Sequence, residues 1–556
     1  MNYLRKMKKL FTISFIFFAI IKIASAQVNN WTWANQAGGS GAEQGSSIAT
    51  DKDGNIYVTG QFYSSSISFG SSTLINAGSY DIFVVKYNVS GNVIWAKSIG
   101  GAYSEKGLGI CTDTCSNIYI IGCFYSPTIT IGSTILTNTD NSGSTSDIYI
   151  CKYDSSGNDI WAKQAGGNNN DLGIKITTDL VGNVLITGEY MSSTISIDGF
   201  ILTNTGTVNT YDIFIAKYNS SGNALWAISA GGASNDYSDG INTDTTGNIL
   251  VTGKFASHYI TFDSTSFTNS NFGPNLYDIF VVKFDTSGNL LWANIEGGTS
   301  SEGGNDICTD SFGNVYVTGS FGSSTLVFGS TTLINSSGLS NFFIFKYGAS
   351  GNRIWAKSSG SSCSGTSIKI DTSQNILVTG FFYTSINFGS VTLNSMGNND
   401  IFVVKYNSVG NVLWAKSGGS SNDDLSHGIS TFTSGIIYII GDFVNATTFD
   451  GVSLTGAGGY DMFIAKLVES NNTGISEKIR ENTISLYPNP SSSKFTIQVP
   501  PTTRNIQISN SLGQIIEKRV VSNQTELSFE IKETGIYFVQ IITDKEIITR
   551  KVIICR

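Results

Sequence analysis

Short runs of alternating apolar and polar residues recur along most of the chain. The run at 55–62, Asn-Ile-Tyr-Val-Thr-Gly-Gln-Phe, is rich in β-branched and aromatic residues, which is typical of a β-strand. Segments rich in Gly, Asn and Ser separate the runs and favour tight turns. No amphipathic helical pattern follows residue 26. The pattern therefore predicts an all-β protein.

The strand pattern is organised in seven repeats of about 62 residues. Each repeat contains a Trp-Ala dipeptide and a phrase that reads Asp-Ile-Phe-Val-Val-Lys-Tyr in its fullest form. The tryptophans are Trp33, Trp95, Trp161, Trp226, Trp292, Trp355 and Trp414. The lysines of the second phrase are Lys86, Lys152, Lys217, Lys283, Lys346, Lys405 and Lys466. Because they recur in every unit, these residues are expected to pack the units together.

Each repeat is predicted to hold four strands, with a variable Ser/Thr/Gly segment and an extra hairpin between the second and third. Seven such units are typical of a seven-bladed β-propeller, and an open solenoid is the alternative. The last unit lacks a Trp strand, whereas Trp33 belongs to a strand that no unit precedes. Residues 33–39 match residues 161–167 at six of seven positions. The N-terminal strand is therefore predicted to complete the seventh unit and close the ring.

The remaining segments predict an exported chain with a second domain. Residues 1–26 combine basic residues, about 12 apolar residues and an Ala-Ser-Ala ending, as in a secretory signal peptide. This apolar run is too short to cross a bilayer core of about 30 Å, and no later segment is long enough. We expect the propeller at 27–469, a polar linker at 470–482 and a small β-domain at 483–556.

The repeat phrases resemble bacterial β-propeller repeats of the SBBP type, found in secreted and surface proteins. The last 75 residues or so resemble the type A C-terminal sorting domain of type IX secretion cargo. The matching sorting residues are Tyr487, Pro488, Asn489, Pro490, Gly513, Gln514, Gly535 and Tyr537. This resemblance implies a β-sandwich and recognition by the type IX secretion machinery. It also implies passage through the outer membrane, removal of the domain, and release or attachment to surface lipopolysaccharide.

Charge and cysteine content narrow the interpretation. Residues 27–474 hold 17 basic and 33 acidic residues, and this excess of negative charge argues against nucleic acid and anionic lipid surfaces. The chain has seven cysteines, and Cys123 and Cys151 fall on strands predicted to be neighbours. They are a candidate disulfide, and buried free thiols are the alternative. His258 and His427, the two histidines, are expected at the surface or in loops.

One acidic position recurs ten residues after the repeated tryptophan. It holds Glu43, Glu105, Asp171, Asp236, Glu302 and Asp424, and the sixth unit has Gly365 there. In a propeller these loops crowd one face around the axis, so the carboxylates are a candidate ring for calcium or a cationic ligand. The alternative is structural, with each acid bound to a lysine or to backbone N–H groups.

These features favour an exported binding or adhesion module with an extracellular glycan or protein as ligand. A structural surface-coat protein is one alternative, and it predicts a face without a pocket. A secreted carbohydrate-active enzyme is the other, and it requires a non-repeated group of acids and histidine on the loop face. The sequence assigns no catalytic residue and, apart from calcium, no cofactor. It predicts a monomer.

Overall fold

The computed structural model describes residues 29–469, except 272, 274, 361 and 434, and residues 485–554, except 490, 511, 512, 523 and 544–546. All regular elements in these ranges are β-strands, and no helix among the described residues could cross a membrane. The two ranges belong to two compact units. The predicted signal peptide (1–26) and linker (470–482) lie outside the described residues.

The first unit consists of seven successive antiparallel sheets, each with four strands in a repeating order. The first strands are β2 (Glu43–Thr50), β8 (Glu105–Thr112), β14 (Asp171–Thr178), β20 (Asp236–Thr243), β26 (Glu302–Thr309), β32 (Cys363–Ile370) and β36 (Asp424–Phe432). The second strands are β3 (Ile56–Phe62), β9 (Ile118–Phe124), β15 (Val184–Tyr190), β21 (Ile249–Phe255), β27 (Val315–Phe321), β33 (Ile376–Phe388) and β37 (Ile436–Phe449).

The other half of each sheet carries the repeated lysine and tryptophan. The third strands are β6 (Asp81–Tyr87), β12 (Asp147–Tyr153), β18 (Asp212–Tyr218), β24 (Asp278–Phe284), β30 (Asn341–Tyr347), β34 (Val391–Tyr406) and β38 (Val452–Glu469). The fourth strands are β7 (Val93–Ile99), β13 (Asp159–Gly166), β19 (Ala224–Ala230), β25 (Leu290–Glu296), β31 (Arg353–Ser359), β35 (Val412–Gly418) and, in the seventh sheet, β1 (Asn29–Ala37).

The predicted hairpin between the second and third strands is separate in the first five sheets. Its strands are β4 (Ser66–Phe69) and β5 (Ser72–Ile75), β10 (Thr128–Ile131) and β11 (Thr134–Thr137), β16 (Thr194–Ile197) and β17 (Phe200–Thr203), β22 (Tyr259–Phe262) and β23 (Thr265–Thr268), and β28 (Thr325–Phe328) and β29 (Thr331–Ile334). In the sixth and seventh sheets the hairpin continues the long second and third strands. β16 also pairs with β13 of the second sheet.

The N-terminal strand β1 completes the seventh sheet. It pairs antiparallel with β38, and Trp33 lies opposite Lys466 while Ala37 lies opposite Met462. The predicted pairing of the Trp33 strand with residues 461–466 is therefore confirmed.

Consecutive sheets pack face to face through apolar side chains. The second and third strands are buried almost throughout, which explains why they are rich in Ile, Val and Phe. One apolar cluster joins Val58 and Phe83 of the first sheet to Tyr438 and Ile464 of the seventh. First strands also neighbour one another, and β2 contacts both β8 and β36.

The repeated tryptophan and lysine connect each sheet to the next. Lys152 Nζ and Trp161 Nε1 both donate to the backbone oxygen of Ser220, at 3.0 and 3.2 Å. Ser220 lies in the turn between the third and fourth strands of the following sheet. In every sheet but the sixth, the repeated lysine donates a hydrogen bond to such a turn carbonyl. These contacts fit the packing role expected for both residues.

The sixth sheet uses a different acceptor. The seventh sheet has no turn after its third strand, because β38 ends at Glu469 and the fourth strand is β1. Lys405 and Trp414 donate instead to the carboxylate of Glu469, over 2.6 and 2.8 Å to Oε1. A carboxylate thus replaces the missing turn carbonyl.

The candidate disulfide in the second repeat, between Cys123 and Cys151, is not formed. Cys123 lies opposite Ile148 and Cys151 opposite Ile120, so the two thiols are offset along neighbouring strands. Both are free and completely buried, which matches the alternative of buried thiols that fill the core.

The second unit has two antiparallel sheets, β39-β40-β43 and β42-β41-β44-β45. Their strands are β39 (Ser485–Tyr487), β40 (Lys494–Gln498), β41 (Thr503–Asn510), β42 (Ile515–Val520), β43 (Glu526–Glu530), β44 (Gly535–Thr543) and β45 (Ile547–Ile554). One apolar cluster includes Phe495 and Phe529 from the first sheet with Ile508 and Val539 from the second. The unit therefore has its own core.

Candidate ligand-binding site at the centre of the seven sheets

The six predicted acidic side chains each begin the first strand of a sheet and are buried. Asp171 accepts hydrogen bonds from the Gly167 N–H (2.8 Å), the Ser192 N–H (3.2 Å) and the Ser192 hydroxyl (2.8 Å). Glu43, Glu105 and Glu302 accept hydrogen bonds from the residues equivalent to Gly167 and Ser192, and Asp236 accepts them from Ser257. Asp424 is the exception, since neither of its oxygens makes a hydrogen bond of normal geometry.

The predicted residue at the acidic position of the sixth repeat is wrong. The residue equivalent to the acids is Cys363, not Gly365, because Cys363 lies opposite Phe382 as Glu43 lies opposite Phe62. Gly365 instead lies opposite Gly380, the equivalent of Gly45 opposite Gly60.

A second buried carboxyl accompanies each of these acids. It is an aspartate of the third strand of the preceding sheet, which begins that strand in the first four sheets and lies within the longer strand in the sixth and seventh. The pairs are Asp81 with Glu105, Asp147 with Asp171, Asp212 with Asp236, Asp278 with Glu302, Asp400 with Asp424, and Asp461 with Glu43. At the remaining junction Asn341 stands at the aspartate position and Cys363 at the acid position. Both carboxyls are thus replaced together by neutral groups.

These contacts favour the structural alternative over the predicted cation ring. Each acid lies beside a carboxyl of the neighbouring sheet and, Asp424 apart, receives local hydrogen bonds. Nowhere in the described ranges do three or more His, Cys, Asp or Glu side chains form a group that could hold a metal ion.

The paired carboxyls predict lower stability at higher pH. Burial and the neighbouring carboxyl raise the pKa of Asp171 and Glu302 to about 7 and that of Asp236 to about 8, while burial raises that of Asp147 to about 6. Such groups bind more protons in the native state than in the unfolded state between about pH 4 and these values. The free energy of unfolding should therefore fall as the pH rises through this window, by several kcal/mol between pH 5 and pH 8.

Urea unfolding at pH 5 and pH 8 measures this loss in the wild type and in Asp147→Asn, which copies the natural Asn341. The substitution should reduce the loss by on the order of 1–3 kcal/mol. Asp285→Asn is the control, because hydrogen bonds lower the pKa of this partly exposed turn residue and it stays ionised over the whole window. Equal stability of the wild type at both pH values would contradict the prediction.

A β-bulge in every first strand directs one residue toward the centre. The bulged residue has no partner in the second strand, as at Asp239 between Ser238 and Gly240. The seven bulged residues are Ser46, Leu108, Ile174, Asp239, Asn305, Thr366 and His427. All seven line one cavity of about 320 Å³, which we call the entrance cavity. Unlike the packing residues, they differ from sheet to sheet.

One side of the entrance cavity carries a charged group. Asp239, with 28% of its side chain exposed, lies 3.9 Å from the Lys254 ammonium. Glu189 lies beside them, 9% exposed. Burial and the Asp239 charge raise the pKa of Glu189 to about 8, although Lys254 opposes this shift. Burial also raises the pKa of Asp239, while the charge of Lys254 opposes this shift.

Tyrosines extend this charged group. The Tyr237 ring lies 5.7 Å from the Tyr211 ring and 5.8 Å from the Tyr277 ring, between centroids. Lys254 Nζ lies 5.5 Å from the Tyr237 centroid and 5.9 Å from that of Tyr277, within cation–π range. All three rings are partly exposed. We call these three residues the tyrosine row.

The seventh sheet contributes a histidine. His427 Nε2 is hydrogen-bonded to the Asp442 carboxylate, and 34% of the His427 side chain is exposed. The sequence did not single out His427 as a site residue, since a single histidine in one repeat has no repeated partner. Its place in the bulge of β36 brings it to the same cavity as Asp239 of β20.

A second cavity of about 210 Å³, the central cavity, is lined by residues of all seven first strands. Its charged residues are Lys175, Lys369 and Asp306, and Lys175 also lines the entrance cavity. A third, surface groove of about 600 Å³ lies beside the hairpins of the third and fourth sheets. His258, the other histidine, lies in this groove beside Tyr259.

Comparisons with known proteins give family matches in both units of the chain. Residues 32–61 and 160–189 match the β-propeller repeat family SBBP. Residues 485–555 match the secretion system C-terminal sorting domain.

The curated relatives are distant and longer. A WD repeat-containing protein of Acanthamoeba polyphaga mimivirus is 24% identical over 79% of this chain and 38% of its own length. The regulatory protein FlaEY of Caulobacter vibrioides is 24% identical over 34% of this chain and 20% of its own length. The chain thus spans well under half of each relative.

The solved structures that match have low similarity to this chain. YCF48 with a bound D1 peptide has a TM-score of 0.37 and 7% identity, covering 81% of this chain and 99% of its own. A puromycin hydrolase mutant has a TM-score of 0.38 and 7% identity, covering 82% of this chain and 58% of its own.

The repeat matches agree with the seven four-stranded units, and the C-terminal match covers the separate second unit. Type IX sorting domains direct export, so the chain is secreted or displayed on the cell surface. The chain thus carries β-propeller repeats of the SBBP type in its first unit and a type IX secretion sorting domain in its second.

Proposed function

We propose that the first unit is a closed seven-bladed propeller that acts as a secreted or surface binding module, with its ligand site at the entrance cavity. Closure is supported by the pairing of β1 with β38 and by the contact of β2 with both β8 and β36. The replacement of a turn carbonyl by Glu469 at the chain junction supports it as well.

The observation that carries the proposal is the set of seven bulged residues around one cavity. Most of the repeated tryptophans, lysines and acids are engaged in hydrogen bonds within and between sheets. The bulges instead bring seven different side chains to one place. Bulges commonly re-aim side chains at functional sites, and variation between repeats is what a ligand without sevenfold symmetry requires.

The chemistry of the entrance favours a polar ligand with apolar faces, which fits a glycan. Partly exposed tyrosine rings supply flat surfaces for the C–H faces of sugars and keep a hydroxyl for hydrogen bonding. Asp239, Lys254 and the His427–Asp442 pair supply hydrogen-bonding groups on different sheets. A polypeptide with aromatic and charged side chains is the other ligand class that this surface fits.

The test is a glycan array with the full-length chain, followed by a titration of the strongest hit. Asp239→Asn combined with His427→Ala should weaken binding at least tenfold, because the pair removes polar contacts from two sides of the cavity. His258→Ala, in the surface groove, and Asp53→Asn, on an exposed turn, should bind as wild type. Binding that survives the double substitution but is lost in His258→Ala would move the site to the groove.

The enzyme alternative rests on one specific observation. Glu189, with its pKa raised to about 8, lies beside Asp239, and glycoside hydrolysis uses two carboxyl groups, one of which donates a proton. Incubating array hits with the protein and analysing the sugars by mass spectrometry tests it. Cleavage that Glu189→Gln abolishes would establish an enzyme, whereas intact sugars would leave the binding module.

A further inference from the structure

We infer that the central cavity is an anion site, in which Lys175 and Lys369 bind a small oxyanion such as a carboxylate, sulfate or phosphate group. This inference concerns a different cavity from the proposed ligand site and goes beyond it. The two cavities share only Lys175.

Most buried or half-buried lysines of the first unit have an ion pair or a hydrogen bond. Lys217, Lys283 and Lys405 form ion pairs with buried aspartates, at 3.3, 2.9 and 2.7 Å. Lys175 and Lys369 each lie on a first strand and line the central cavity, half-buried. Within the described ranges neither ammonium has an ion pair or a hydrogen bond. A half-buried ammonium without a partner is costly, and an anion would offset that cost.

The acidic residue in this cavity does not neutralise both lysines. The Asp306 Oδ2 accepts hydrogen bonds from the Ser367 hydroxyl at 2.7 Å and the Ile368 N–H at 3.0 Å. Its Oδ1 accepts the Ile307 N–H at 2.9 Å. The carboxylate is therefore held by neighbouring donors, and two positive charges face the cavity against one negative charge. Lys175 also interacts electrostatically with Asp239, with which it lines the entrance cavity. Within the central cavity the two lysines outnumber the one aspartate.

The remaining lining suits an oxyanion. Ser47, Thr50, Thr112 and Ser430 line the cavity with the lysines. The Thr50 and Thr112 hydroxyls donate to backbone carbonyls, whereas the Ser47 Oγ accepts the Ile110 N–H at 3.3 Å, so its own hydrogen is available to donate. The Ser47 hydroxyl and two ammonium groups around about 210 Å³ match the size and the hydrogen-bond acceptors of a small oxyanion.

Calorimetric titration of the full-length protein in chloride buffer tests the inference, with sodium sulfate and sodium glucuronate as probes. Wild type should bind with saturation at one site. Lys175→Gln combined with Lys369→Gln should bind at least tenfold more weakly, while the exposed Lys357→Gln should match wild type. Tenfold tighter binding of glucuronate than of sulfate would identify the acid group of a sugar as the ligand, and equal binding would identify a free inorganic anion.

Absence of saturable binding by wild type, or equal binding by the double variant, would overturn the inference. If the double variant does not fold, Lys369→Gln alone replaces it and should bind at least threefold more weakly. Lys369 does not line the entrance cavity, so this variant should keep its affinity for a glycan hit. The anion site and the proposed ligand site can therefore fail independently.

Discussion

Removing residues 27–38 is expected to destabilise the first unit by more than about 4 kcal/mol and to make it self-associate, because the deletion takes out strand β1. Trp31 and Ala37 on this strand are buried. Trp31 Nε1 donates to Ser417 of the sixth sheet, and Asn35 Nδ2 donates to Gly91 of the first sheet. One strand thus links three sheets, and its loss leaves β38 with an unpaired edge.

Urea unfolding and light scattering of the chain from residue 27 onward, with and without residues 27–38, measure this effect. Thr32→Ala is the matched control, since this exposed side chain lies on the same strand and its loss removes only one hydroxyl hydrogen bond to the Lys466 carbonyl, while the backbone pairing remains. A synthetic peptide of residues 27–38 should restore part of the stability by pairing with β38. An unchanged unfolding midpoint and a monomeric shortened chain would refute the closing role of β1.

The packing of the sheets could be predicted from the sequence because the residues that pack are the ones that repeat. Trp33 alone indicated the pairing of β1, since a Trp strand was missing at the other end of the chain. Placing the acidic position ten residues after the tryptophan gave the wrong residue in the sixth repeat. There the loop is two residues shorter, so that Cys363 lies eight residues after Trp355 and takes the acid position.

The candidate site could not be predicted in the same way. Its residues are those that do not repeat. They converge because of a β-bulge in each first strand, and no sequence pattern predicts the position of that bulge. Asp239 and His427 lie in different repeats and become neighbours of one cavity only through the arrangement of the sheets. A comparison of equivalent positions across the repeats would have shown an aspartate at 239 and a histidine at 427 where the other repeats carry Ser, Leu, Ile, Asn or Thr.

Removing residues 483–556 is expected to abolish the appearance of the protein on the surface or in the medium, with at least a tenfold fall, while the first unit stays folded in the periplasm. The sorting-domain match covers residues 485–555, so the deletion removes the whole export signal. The apolar cluster of the second unit contains only residues of that unit. The apolar clusters of the seven sheets likewise contain no residue beyond 469, so their cores lose nothing.

Fractionation of cells that express the full and the truncated chain measures this outcome, with limited proteolysis of the periplasmic fraction to report folding. Asp239→Asn in the full chain is the control, because it changes the candidate binding site and leaves the sorting domain untouched. Its surface level should equal that of wild type. If the truncated chain also reached the surface at the wild-type level, the second unit would not be the sorting signal. A truncated chain that is degraded in the periplasm would instead show that the first unit depends on the second for its stability.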